Sequence, residues 1–184
     1  MSVTAGLAVN FASRLLLLGV KLWAFSQTGF LVLLGEALNS LVDLLVTGSL
    51  LAGERLGRKG GDAEHPFGHR RARHVISLIV AVTFITVTSL QLVREAVPRL
   101  FDPVPLGDPG LAFGVLAFSF AVNFVPIAVL ARARRRRDIL LRTALYDTLN
   151  DQAAILAAGV GVWFVWRGVA WADPAAAIAV AAII

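Results

Sequence analysis

Five stretches of roughly twenty or more mostly apolar residues follow one another along this 184-residue chain, with a shorter sixth at its end. A stretch of that kind matches the ~20 residues that a helix needs to cross a hydrocarbon core ~30 Å thick. Hydrophobic residues make up 58% of the chain, whereas a soluble domain of this length exposes far more polar surface. The pattern predicts an all-α fold, a polytopic transmembrane helical bundle of six helices with the sixth truncated.

The helices are expected at about 5–25, 30–52, 70–98, 109–131 and 139–166, with a sixth starting near 174. Gly29, "GERLGRKGGDAEHPFGH", "FDPVPLGDPG" and "WADP" supply the breakers between them. The N-terminus lacks a basic n-region, so the first segment reads as a membrane helix and not as a cleavable signal. The last segment has room for about 16 Å of helix at 1.5 Å per residue. The sequence is therefore expected to end inside a helix, as part of a longer chain.

The basic residues are confined to particular links. The one after helix 2 carries Arg55, Arg58, Lys59, Arg70, Arg71 and Arg73, and the one after helix 4 carries Arg132 and Arg134–Arg137. The link "SQTG" after helix 1 has none, and those after helices 3 and 5 hold only Arg94, Arg99 and Arg167. The positive-inside rule then puts the links after helices 2 and 4, and the N-terminus, in the cytoplasm of a multi-pass cell-membrane protein. The net charge of +5 is thus a topology signal, and a nucleic-acid partner is not expected. With no cysteine, disulfides, thiolate metal sites and thiol catalysis are excluded. Trp163, Trp166 and Trp171 read as an aromatic belt at the outer interface.

Against this background the ionisable residues at membrane depth stand out, because each costs several kcal/mol and by default marks an ion or substrate path. In helix 2, Glu36, Asn39 and Asp43 fall at i, i+3 and i+7 on one face. In helix 5, "YDTLND" places Asp147 and Asp151 one turn apart, the spacing of Asn39 and Asp43. Two helices that each offer two oxygen-bearing side chains one turn apart can converge four ligands on one cation. A lone Asp or Asn is explained by a hydrogen bond to a neighbouring helix, but two matched pairs require strong charge compensation. The basic residues available for it are Arg14 and Lys21 of helix 1, with Lys21 able to snorkel toward the surface.

"TGFLVLLGEALNSLVDLL", "DAEHPFGHRRAR" and "ALYDTLNDQAAILAA" together resemble the cation diffusion facilitator family of divalent-metal/proton antiporters. The resemblance spans the whole chain, making residues 1–184 the transmembrane domain of such a transporter. It implies six helices with both termini cytoplasmic, a homodimer in the bilayer, and a C-terminal cytoplasmic domain not present in this sequence. It also implies an intramembrane metal site at Asn39, Asp43, Asp147 and Asp151. Zinc-transporting members usually carry a His at the position of Asp147, so the site here is all oxygen. Imidazole favours zinc, whereas carboxylate and amide oxygens suit harder cations such as manganese. The resemblance is therefore to manganese exporters, with Zn²⁺ and Fe²⁺ as the alternative cargoes.

Asp62, His65 and His69 in "DAEHPFGH" form a second cluster, with Pro66 and Gly68 favouring a turn between the histidines. In the resembling family these positions form a peripheral metal site; alternatively, the histidines cap helix 3 and tie down the loop. Glu36 is either a vestibule ligand or proton carrier, or a partner in an interhelical hydrogen bond.

The charge balance suggests the coupling. A divalent ion among three ionised Asp leaves a net charge of −1, but the empty cluster would carry −3, which a low-dielectric site relieves by taking up protons. Metal and protons then compete for the same oxygens, and alternating access turns the competition into antiport. No enzyme or cofactor is expected. An intramembrane aspartyl protease also uses two Asp on separate helices, but the Gly-x-Gly-Asp element of those enzymes is missing here.

Overall fold

The computed structural model describes residues 3–57, 70–133 and 139–183, with side chains described for 11–46, 48, 79, 81–124 and 149–183. It is all-helical over these residues: α1 (Val3–Thr28), α2 (Leu31–Gly57), α3 (Arg70–Phe101), α4 (Pro109–Ala133), α5 (Ile139–Trp166) and α6 (Ala172–Ile183). The five long helices begin within two residues and end within five of the expected limits, with α2 running furthest past its expected end. At 25 to 32 residues, each of the five is about 37–48 Å long.

Helices α1, α2, α5 and α4 form a closed ring in which each packs on the next, α4 returning to α1. Helix α6 lies against α5 and α2, and α3 completes the bundle against α2 and α6. Leu15, Trp23, Val87, Leu90, Leu156 and Val160 are exposed, whereas Arg14, Lys21, Glu36, Asn39 and Asp151 are buried. Leu149–Trp166 of α5 is an 18-residue run long and apolar enough to cross a membrane. A surface of large apolar side chains, around an apolar core that also holds these charged groups, is what a bilayer allows and what water penalises. The exposed Trp166 and Trp171 lie at one end of the bundle, where Arg167 stacks 5.0 Å above the Trp163 ring.

That end is where α1 stops. Gly29 adopts φ 72° and donates its N–H to Phe25 O at 2.8 Å, an αL cap that only a residue without a Cβ makes cheaply. Helix α2 then starts at Leu31 with no Ser, Thr, Asp or Asn of its own to cap it. The cap arrives from α6 instead. Asp173, fully buried, accepts the N–H groups of Leu31 at 2.8 Å and Val32 at 3.1 Å. Two more ties close the same end: Arg99 Nη1 donates to Gly29 O at 2.9 Å, and Gly107 N donates to Thr28 O at 2.8 Å. Asp108 caps α4 through Gly110 N at 2.9 Å, with Pro109 at the first helical position, where its missing N–H costs nothing. The stretches expected to act only as breakers therefore also carry caps. Asp173 and Pro174 lie within the first turn of α6 and not in the preceding loop.

A buried ion pair fixes α1 against α2. Lys21 does not snorkel: it is 1% exposed, and its ammonium donates to Glu36 Oε2 at 2.8 Å, Ser40 Oγ at 3.0 Å and Glu36 O at 3.2 Å. Those three bonds use all its protons. The link between the helices is too short to let α1 slide, and Glu36 sits one turn into α2, so the ammonium meets a carboxylate before it can reach the surface. Elsewhere α5 and α6 approach closely: at Gly161 an added Cβ would collide with Ala176 Cβ.

Two outcomes follow from these contacts. Asp173→Ala leaves two buried N–H groups without acceptors and should cost about 2 kcal/mol. Asp173→Asn, which keeps one acceptor, should cost less; unfolding of the detergent-purified protein measures both. Lys21→Met strands the Glu36 carboxylate and should destabilise by about 3–5 kcal/mol, whereas Lys21→Met with Glu36→Leu should regain most of that. Additive losses in the double variant would show that the pair is not coupled.

Candidate metal site

Two turns further along α1 and two turns further along α2 lies a second charged layer. Arg14 is seven residues before Lys21, and Asp43 is seven residues after Glu36. In an antiparallel hairpin these offsets bring the two new residues opposite each other on the faces that already carry the first pair. Arg14 Nη1 accordingly donates to Asp43 Oδ2. The same nitrogen donates to Asp151 Oδ2 of α5 at 2.9 Å. Asp151 uses its other oxygen as well, with Oδ1 accepting from Asn39 Nδ2 at 2.9 Å.

Three of the four expected intramembrane ligands thus meet in one place: Asn39 and Asp43 from α2 and Asp151 from α5. Arg14 and Asp151 are 7% and 6% exposed, Asn39 is 9% exposed, and Asp43 is partly buried. The fourth, Asp147, belongs to α5 one turn before Asp151, but its side chain lies outside the described residues. Among the described residues, no three His, Cys, Asp or Glu side chains form a metal-holding group. Asp62, His65 and His69 also lie outside the described residues.

Each side chain is positioned for a simple reason. The Asn39–Asp43 spacing stacks both on the α2 face that turns inward, where the neighbours at the same level, Ala37 and Val42, are apolar and buried. Asp151 faces the ring interior beside buried Gln152, Ala154 and Ile155, while Leu149 and Leu156 point outward. Gln152 Nε2 ties α5 to α4 through Phe120 O at 3.1 Å, which holds the rotation of α5 about its axis. Such a cluster, largely buried and rich in carboxylate, attracts a cation strongly; in this conformation a guanidinium supplies the positive charge.

Arg14 was recognisable as a source of compensating charge, but its bridging of both carboxylates was not. The signal was present in the matched seven-residue offsets of Arg14/Lys21 and Glu36/Asp43 across a two-residue link. Asp173 carries no local sequence signal of its role, because it caps α2 from more than 140 residues away.

Residues 7–184 match the cation efflux transmembrane domain family. An uncharacterized transporter of Synechocystis sp., sll1263, is 32% identical over 174 residues, covering 94% of this chain and 56% of that protein. The cation-efflux pump FieF of Salmonella newport is 27% identical over 165 residues, covering 87% of this chain and 54% of the pump. The chain spans about half the length of the curated relatives it matches. With buried carboxylates on two helices, an outward apolar surface and a match along almost its whole length, the chain belongs to the cation efflux transmembrane domain family, a family of transporters and not of enzymes.

Proposed function

We propose that this chain is the membrane domain of a divalent-cation exporter that carries metal out of the cytoplasm in exchange for protons. Its transport site is made of Asn39, Asp43, Asp147 and Asp151, and its cargo is Mn²⁺ in preference to Zn²⁺ or Fe²⁺. The observation that carries the reading is the meeting of Asn39, Asp43 and Asp151 inside the ring, with a cationic group already lodged between the two carboxylates. Carboxylates are costly at this depth, and gathering them from two helices around one cation position is what a site built to hold a cation needs. A similarity to cation-efflux pumps named as such supports the direction of transport.

The donor set supports the choice of metal. All four side chains offer oxygen, and oxygen sites suit manganese better than the nitrogen and sulfur that zinc prefers. In this reading the ends of the helices at Gly29 face away from the cytoplasm, the arginine-rich links face it, and the full-length protein works as a homodimer with a cytoplasmic C-terminal domain. Protons and metal alternate on the same oxygens, since the carboxylates cannot stay ionised together without a cation. Asp62, His65 and His69 would form at most an auxiliary entry site, since three ligands alone make a weak one.

Asp43→Ala, Asp147→Ala and Asp151→Ala should each abolish Mn²⁺ transport into proteoliposomes with an imposed pH gradient. His65→Ala with His69→Ala should lower transport less than any of the three. Flux above half of wild type in any single Asp variant would sink the four-ligand site. Asp147→His replaces a hard oxygen with an imidazole and should raise the ratio of Zn²⁺ to Mn²⁺ uptake at fixed pH. An unchanged or lower ratio would remove the case for manganese.

A further inference from the structure

We propose that Arg14 is a tethered counter-ion which occupies the cation position of the transport site and has to leave it before a metal ion can bind. The inference rests on the transport-site reading above and adds to it a residue from α1, a helix that supplies none of the four ligands.

Three features of the geometry support it. First, one guanidinium nitrogen, Nη1, is shared by Asp43 Oδ2 and Asp151 Oδ2, 2.9 Å from the latter. A group bonded to carboxylates of two different helices lies between them, where a bridging cation would sit. Second, Asn39 presents its amide nitrogen to Asp151 Oδ1 at 2.9 Å. A metal ligand must present the amide oxygen instead, so the Asn39 side chain is set for the Arg14-bound arrangement and has to turn over when metal enters. Third, the guanidinium cannot leave by losing its proton. An arginine stays charged in any protein setting, so the site loses this cation only by moving it. A lysine here could discharge; Arg14 has to swing.

The consequence is competition within one molecule. The apparent affinity for metal is the intrinsic affinity scaled down by the fraction of time in which Arg14 is out of the site. Two charge-assisted hydrogen bonds hold it in, each stronger than a neutral one. Competition of this kind serves release: when the site opens to the far side, the returning guanidinium helps expel the ion. Charge balance agrees. Three ionised Asp, one Arg and one divalent ion total zero, so a metal-loaded site with Arg14 displaced but still close is neutral, without the −1 that the ligands alone would leave.

The test is Mn²⁺ binding by titration calorimetry, with Zn²⁺ in parallel, at mildly alkaline pH where protons compete least. Arg14→Met should bind Mn²⁺ about tenfold or more tightly than wild type and transport it more slowly, because release has lost its competitor. Arg14→Lys, which keeps a cation in place, should stay within about threefold of wild type in affinity. A role in holding the helices together predicts the opposite sign, since loss of the bridge would loosen the ligands and weaken binding. Unchanged or weaker Mn²⁺ binding by a monodisperse Arg14→Met protein overturns the proposal. Should that variant not fold, Arg14→Gln, neutral but still an N–H donor, takes its place with the same expected sign. Asp151→Asn separates the two levels. Loss of Mn²⁺ binding there, with no gain in Arg14→Met, refutes the counter-ion and spares the site. Wild-type binding in Asp151→Asn refutes the site and the counter-ion with it.

Discussion

The bundle depends on how it neutralises the carboxylates set between its helices. Asp43 and Asp151 come from the neighbouring helices α2 and α5 and share one guanidinium nitrogen, and like charges brought this close push the helices apart unless something positive stands between them. Arg14 fills that position with both contacts on a single nitrogen, so α1, α2 and α5 are held at one point by one group. Its planar, permanently charged head suits the task better than an ammonium would, because it bridges two acceptors without being able to discharge. The outward apolar surface and the charged groups inside are two sides of this constraint, since the bilayer demands the first and the ions require the second.

Much of this was legible in the chain itself. The apolar runs announced the helices, since a segment long enough to span lipid has no other way to satisfy its backbone. The four-residue spacings announced the clustering of Asn39, Asp43 and Asp151, because a helix stacks i and i+4 on one face whatever its neighbours are. What did not show was which basic residue meets which acid. Lys21 looked free to snorkel, for a long aliphatic stem permits it. Only packing decides that its ammonium finds Glu36 and Ser40 and is left no route to the surface. The cap on α2 was hidden for a related reason. Capping patterns are local in sequence, and Asp173 serves a helix that begins 142 residues earlier.

The end of the bundle at Gly29 is knitted by three separate ties, from α6 to the start of α2, from α3 to Gly29, and from the α3–α4 link to Thr28. Each satisfies a backbone group that a helix end leaves open, so the ties are compulsory chemistry before they are architecture. Their joint effect is to gather the ends of α1, α2, α3 and α6 into one unit. Residues 21 and 36, the inner ion pair, sit between that unit and the Arg14 layer.

This arrangement settles what can move when Arg14 does. The Lys21–Glu36 pair lies two turns from Arg14 on the same two helices, and its three hydrogen bonds oppose any sliding of α1 along α2. A guanidinium on a long flexible stem needs no such slide: rotation about its own side-chain bonds carries the charge several ångströms while the helix stays in register. The two layers therefore divide the work. The lysine layer, saturated with bonds, fixes where the helices are. The arginine layer bridges two acids from neighbouring helices, and it is there that the proposed exchange of one cation for another takes place.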